Sequence, residues 1–284
     1  MIKQMLADAK SKLAAAEIDE IDAEILLANQ LGLTRMELHN PLKMETALKT
    51  IEPEQLRDLF QSDINRRISS EPVQYITGVS YFRNLELAVG RGVLIPRPET
   101  EGLVSYVLNN LKEFEKNSNE ISVVDLGSGS GAIALAIATE NPKTRVIAVE
   151  NSVDALPWLK ENIAKYVPDL RLVEDDVSMA LAGIKCDVVV TNPPYVPNSI
   201  NLPPNVLNHE PKVAIFGGET GLEIPALFIN AATRLLKPDG LLVIEHAEEH
   251  GEAIAEILSV DFDQIELHYD LNQRPRFTSA RRKK

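Results

Sequence analysis

The sequence predicts an α/β protein, a doubly wound and mostly parallel seven-stranded sheet, with a small all-α bundle in front of it. Three observations carry this. From residue 123 onward, apolar strand-like runs alternate with helical patterns, which implies parallel strands joined by crossover helices. A glycine-rich stretch, Asp125–Gly131, falls between one such strand and the helix after it. The first ~80 residues instead recur at helical spacing and are almost free of glycine.

In the front part, Ile21, Ile25, Leu26 and Leu27 form one helical stripe that stops at Gly32. Leu56, Leu59, Phe60 and Ile64 form a second, opened by Glu52-Pro53-Glu54. A boundary follows at Glu71-Pro72. Val73–Ile76 and Leu85–Val89 then read as short strands around Gly78 and Gly90, a β-hairpin linker over 73–100 that ends in the two-proline segment Ile95–Thr100. A helix is expected over 100–112 and a polar surface loop over 113–120. Further strands are expected at 123–126, 145–150, 170–173, 186–191, 241–245, 265–269 and 276–280. Helices are expected at 132–139, 153–166, 222–236 and 251–258, the third stopped by Lys237-Pro238-Asp239-Gly240. The basic tail Arg281–Lys284 reads as a frayed, solvated end.

The chain has 284 residues, is 44% hydrophobic and carries a formal charge of −13. Two domains with a real core are implied, and a protein gripping long nucleic acid through its phosphates is disfavoured. The single cysteine, Cys186, allows no intramolecular disulfide, and no histidine spacing suggests a metal, so none is expected. No apolar run approaches the ~20 residues that span a bilayer, and no signal segment is recognisable, which leads to the expectation of a cytoplasmic protein without a membrane partner.

Gly127, Ser128, Gly129, Ser130 and Gly131 stand where a Rossmann-like fold binds its ligand, at the carboxyl end of a strand. The spacing G-x-G-x-G differs from the G-x-G-x-x-G of pyrophosphate cradles. The acid ahead of it, Asp125, suits a cationic ligand, and S-adenosylmethionine carries an ammonium and a sulfonium. Glu150 ends the next strand, where an acid can accept from ribose hydroxyls. Asp176, after the third strand, is placed to meet the exocyclic amine of adenine.

Asn192-Pro193-Pro194-Tyr195 ends the apolar strand carrying Val188–Val190. Two prolines remove two donors and set φ, so carbonyls project in fixed directions. The Asn192 side-chain carbonyl and the Pro193 backbone carbonyl can accept both N–H bonds of a planar –NH2 group, and Tyr195 can stack on it. The turn alone does not distinguish an adenine amine from a glutamine amide.

With both motifs placed, the chain resembles the class I methyltransferases that modify the glutamine N5 of peptide chain release factors. The similarity runs through Asp22–Ala28, Glu71–Gly78, Leu94–Glu101, Asn192–Tyr195, Glu210-Pro211, Gly217-Gly218 and Glu245-His246. It implies S-adenosyl-L-methionine held by Gly127–Gly131 and Glu150, with Asp176, Asn192 and Phe82 beside it. It implies a substrate glutamine, from a Gly-Gly-Gln tip, bound by Asn192, Pro193, Pro194 and Tyr195, with Arg97 lining the site. Residues 1–72 would dock the release factor and 101–284 would form the methyltransferase domain. A ribosomal-protein glutamine methyltransferase and an adenine-N6 nucleic-acid methyltransferase are the alternatives. Many relatives carry Asp at the Glu150 position, and some carry an aromatic at that of Val177.

Overall fold

The computed structural model describes residues 1–115 and 120–284; of the loop expected over 113–120, residues 116–119 lie outside the described residues. The chain divides into two compact units. One comprises Met1–Val79 with Leu202–His209, the other Ser80–Asn201 with Glu210–Lys284.

The first unit holds helices α1 (Ile2–Ala15), α2 (Ile21–Gln30), α3 (Pro41–Leu48), α4 (Pro53–Ile68) and α5 (Val73–Thr77). Local chemistry sets the starts. Asn40 caps α3 by accepting from the N–H groups of Leu42 and Lys43, and proline opens both α3 and α4, where its missing N–H is not needed. Leu13, Leu26, Leu27, Leu56, Phe60 and Ile64 share one core, each stabilising the unit by about 1.5–3 kcal/mol. Leu59, expected on the same stripe, is 40% exposed. Val73–Ile76, expected as a strand, is helical. Pro72 precedes the turn, Ile76 is drawn into the bundle core, and Gly78 closes it at φ 76°, so burial overrides the β-propensity of Val, Tyr and Ile. A short helix from later in the chain, α9 (Pro204–Leu207), belongs to this unit.

The second unit opens with a hairpin of β1 (Val79–Phe82), whose first residue ends the preceding unit, and β2 (Leu85–Ala88). Helix α6 (Thr100–Phe114) follows. The main sheet uses β3 (Ile121–Leu126), β4 (Thr144–Glu150), β5 (Arg171–Glu174), β6 (Cys186–Thr191), β9 (Leu236–Glu245), β10 (Phe262–Tyr269) and β11 (Pro275–Arg282). Crossovers are α7 (Ala132–Glu140), α8 (Leu156–Tyr166), α10 (Glu223–Leu235) and α11 (Gly251–Leu258). A small ladder pairs β7 (Val196–Pro197) with β8 (Phe216–Gly218). Strand order is β10-β11-β9-β6-β3-β4-β5, and only β11 runs antiparallel to its neighbours. The apolar runs explain the central strands: Val188, Val189 and Val190 are fully buried, as strands covered on both faces require.

Two expectations change. The segment Lys237–Gly240 does not merely stop α10. It is a bulge inside β9, whose pairing with β6 jumps from Leu236 to Leu241 while Cys186 advances only to Val188. The basic tail is not frayed through Arg282. Arg281 pairs with Leu241 and Arg282 with Phe262, the Arg282 guanidinium donates to Asp261 O at 2.7 Å, and Lys283 reaches Ser259 O at 2.7 Å. Among the described residues, no helix is long and apolar enough to cross a membrane.

Candidate active site

Four strands deliver the site in register. Val149 of β4 pairs with Leu126 of β3, Leu126 with Thr191 of β6, and Thr191 with Ile244 of β9. The next residues along each strand are Glu150, Gly127, Asn192 and Glu245. The chain passes from β3 to β4 and β5 on one side and returns to β6 on the other. The glycine loop and the Asn192 turn therefore leave adjacent strands at the topological switch point, where open α/β sheets bind ligands.

The loop is held from beneath. Gly127, Gly129 and Gly131 have φ of 69°, 56° and 86°, a left-handed region that L side chains avoid, and Gly131 is the N-cap of α7. The N–H groups of Gly127 and Ser128 donate to Val149 O, and the Asn162 side chain donates to Ser130 O at 2.9 Å. Glu150 accepts from Gly129 N–H (2.8 Å), Asn151 N–H (2.9 Å) and Ser152 N–H (2.7 Å). A carboxylate has about four acceptor positions, so one remains for a ligand. Asp125 lies fully buried under α7, accepting from Ala134 N–H at 3.2 Å, and its Oδ1 has no partner. Burial pushes its carboxyl up to about 7, against hydrogen bonds from Ser128 and Ala134 that pull it down.

The turn is braced from several sides. Thr191 Oγ1 donates to Leu126 O at 2.8 Å, tying β6 to β3 just before Asn192. Asn192 Nδ2 donates to Thr100 Oγ1 at 3.3 Å, and the Tyr195 hydroxyl to Glu245 Oε1 at 3.2 Å. Glu245 is buried, which pushes its carboxyl up to about 7 although Thr100 and Tyr195 hydrogen-bond it. Burial, with the Glu245 charge added, holds the Tyr195 phenol above its ordinary value, so that it remains a donor. Arg97 pairs with the buried Glu210 at 2.6 Å, and Glu210 also accepts from Ile95 N–H at 3.1 Å, fixing the two-proline segment. Gly217 of β8 packs against the turn itself, where a Cβ would lie 2.7 Å from Pro194 O.

These pieces surround one cavity of about 160 Å³. Phe82, Arg97, Gly127, Ser128, Gly129, Ser130, Glu150, Asn192 and Pro194 all line it. Gly131, Pro193 and Tyr195 are not among the residues that line it. Asp176 is also outside it. Its carboxylate accepts from the Ser178 N–H and hydroxyl, which lower its pKa, and it reaches the site only through Asn151 Nδ2 at 3.0 Å. Residues not expected from the sequence complete the lining, among them Thr100, Asn151, Ser152, Val213 and Phe228. Asn151 and Ser152 could have been found as the residues directly after Glu150. Phe228 faces Gly127 from α10, a closeness that nothing in the linear order signals.

The lining fits S-adenosylmethionine. A Cβ on Gly129 would meet nothing nearer than Val93 at 4.0 Å, so the glycine leaves room for a ligand against bare backbone. Glu150 offers a free acceptor position at the rim, and apolar Phe82, Ile133 and Phe228 flank the loop. Among the described residues no group of His, Cys, Asp and Glu is arranged to hold a metal ion.

Residues 4–78 match the PrmC N-terminal domain and residues 105–207 the methyltransferase small domain. The chain is 39% identical to a release factor glutamine methyltransferase of Streptomyces coelicolor, over 98% of this chain and 96% of that one. It is also 39% identical to that of Bifidobacterium longum, over 89% and 90%. Among solved structures, the Thermus thermophilus 16S rRNA N2 G1207 methyltransferase in complex with AdoMet and guanosine covers 72% of this chain and 50% of its own, with a TM-score of 0.50 at 18% identity, a likeness of fold. With near-full-length identity of this size, the chain belongs to the release factor glutamine methyltransferase family.

Proposed function

We propose that the protein transfers the methyl group of S-adenosylmethionine to the side-chain amide nitrogen (N5) of the glutamine in the Gly-Gly-Gln tip of a peptide chain release factor. The observation that supports this most is that Asn192 and the Gly127–Ser130 loop line the same cavity. A nucleophile held by Asn192 would thus meet a donor held by the loop without either moving far.

S-adenosylmethionine supplies an electrophilic methyl group on a cationic sulfonium. The chain's own residues supply alignment and electrostatics. Asn192 Oδ1 and the Pro193 carbonyl accept the two N–H bonds of the amide, which counters delocalisation of its lone pair and favours pyramidalisation. The same two carbonyls stabilise the positive charge that grows on the nitrogen. No base is needed before transfer, because the nitrogen loses its proton once it is methylated. The helical unit, Met1–Val79, is assigned to docking of the folded factor.

Labelled S-adenosylmethionine tests this. Label is expected on the release factor and not on the factor with its Gly-Gly-Gln glutamine replaced. Label on oligonucleotides, or on a ribosomal protein and not on the factor, would overturn the reading. Asn192→Ala is expected to abolish transfer while cofactor affinity stays within about threefold. A collapse of cofactor affinity would overturn its assignment to the substrate.

A further inference from the structure

Two of the residues that line the cavity are exposed, Asn151 and Val213. They mark opposite ends of it. Asn151 follows Glu150 at the end of β4, Asn192 follows β6, and β3 lies between those strands. Val213 belongs to the Asn192 end. Two residues beyond it, Ile215 O accepts from Val196 N–H at 2.9 Å, and Val196 directly follows the Asn192–Tyr195 turn.

Val213 is 73% exposed on the short turn Lys212–Ala214. A single exposed valine is ordinary on a surface, but this one continues an apolar rim into the cavity. Pro211 and Ala214 flank it in sequence and share the lining. Ile95 N–H donates to the Glu210 carboxylate at 3.1 Å, which brings the lining residues Leu94 and Pro96 to the same end. Glu210 is 5% exposed and also takes the Arg97 guanidinium at 2.6 Å. The lip that carries Val213 is therefore fixed from beneath before anything binds, so little ordering cost is left for binding.

The two ends divide the two ligands. The Asn151 end adjoins Glu150, which is assigned to the cofactor. A glutamine side chain that reaches Asn192 passes the Val213 end, and its main chain stays at the mouth. An apolar group can approach the main chain of glycine more closely than that of any other residue, because no Cβ stands in the way. We infer that Val213 is a specificity-determining residue whose isopropyl group packs on the glycine pair ahead of the target glutamine. This rests on the reading of the substrate as a Gly-Gly-Gln tip. A side chain on the glycine next to the glutamine would meet Val213, so the lip selects for glycine there.

Transfer is measured with intact release factor and labelled S-adenosylmethionine, and cofactor Kd by calorimetry. Val213→Ala removes two methyl groups and is expected to raise the KM for the factor about 3- to 10-fold with kcat nearly unchanged. Val213→Asp places a carboxylate where the arriving peptide would strip its water, and should raise that KM about 10-fold or more. Cofactor Kd should stay within about twofold in both. Val260→Asp is the control: it alters an equally exposed valine, 75% exposed, just before β10, and should leave KM at the wild-type value. A factor with a Gly-Ala-Gln tip tests the contact itself. Its loss of kcat/KM should be at least about threefold smaller with Val213→Ala than with the wild-type protein, because the shortened side chain makes room for the new methyl group. Equal losses in the two proteins, complete loss in both included, overturn the contact with the glycine pair. Val213→Asp at wild-type KM, or a rise in KM matched by a loss of cofactor affinity, overturns the inference. If instead the wild-type protein leaves the unaltered factor unlabelled, it is the glutamine reading that fails, and this inference with it.

Discussion

Gly217→Ala isolates the fit between β8 and the Asn192–Tyr195 turn. The new Cβ would lie 2.7 Å from Pro194 O, 2.7 Å from Gly221 O and 2.8 Å from Tyr195 Cα. Carbon atoms at their preferred separation stand about 3.5 Å apart or more, so the contact is too short by roughly 0.7 Å. All three neighbours are backbone, and none can rotate away as a side chain would. The cost belongs at the upper end of overpacking, about 3 kcal/mol. In a domain of this size that lowers Tm by about 6–12 °C. The turn must also shift by a few tenths of an ångström. Since a 1 Å misplacement costs about 100-fold, a shift of this size should lower kcat by about 3- to 10-fold. Thermal unfolding and labelled methyl transfer read the two effects, and calorimetry should find cofactor affinity nearly unchanged. Gly183→Ala is the control. Its φ is 80° with nothing within 4 Å, so it should lose only about 1–2 kcal/mol of stability to backbone strain and no activity. A Gly217→Ala protein with wild-type Tm and kcat would refute the packing argument.

Three further outcomes follow from the described contacts. Glu150→Ala removes the acceptor of three N–H groups and should weaken S-adenosylmethionine binding about 10- to 100-fold by calorimetry; unchanged affinity would remove Glu150 from the cofactor site. Asp125 has its carboxyl raised from 3.8 to about 7 in the folded chain, so the folded state binds the extra proton between those values. Its contribution to stability is therefore complete below about pH 4 and is lost as pH rises toward 7, at most about 4 kcal/mol. Asp125→Asn should flatten that stretch of the urea-denaturation profile, and an unchanged profile would show that Asp125 ionises freely. Arg83→Ala removes a two-pronged pair with Glu140, together with bonds to Ser105 and the Glu101 carbonyl, on side chains that are mostly buried. It should lower stability by about 2 kcal/mol with transfer intact, and a loss under about 0.5 kcal/mol would mark the pair as an ordinary surface contact.

The sequence by itself was informative where chemistry and structure are local. The valine-rich run before Asn192 and the glycine loop after Val123–Leu126 each announced a strand end. The G-x-G-x-G spacing carried the same backbone demand that the three positive φ values express. Periodicity placed most crossover helices and all seven strands of the main sheet, because apolar spacing records which face is buried. It failed where burial overrode propensity, as at Val73–Thr77, and where a turn signal was absorbed as a bulge, as at Lys237–Gly240. Asp176 follows β5 as expected, and its carboxylate accepts from Ser178 and from Asn151, a residue that lines the cavity.

What the sequence determined, then, is the class of fold, the glycine loop, and the two-proline turn at the end of β6. Only the tertiary structure decided how they meet. Strand order at the β3/β6 switch point put Gly127 and Asn192 side by side although they are far apart along the chain. It also brought Thr100 from α6 to the amide of Asn192 and Glu245 from β9 to the hydroxyl of Tyr195. Such contacts depend on sheet order and register, which long-range packing settles and no local pattern encodes.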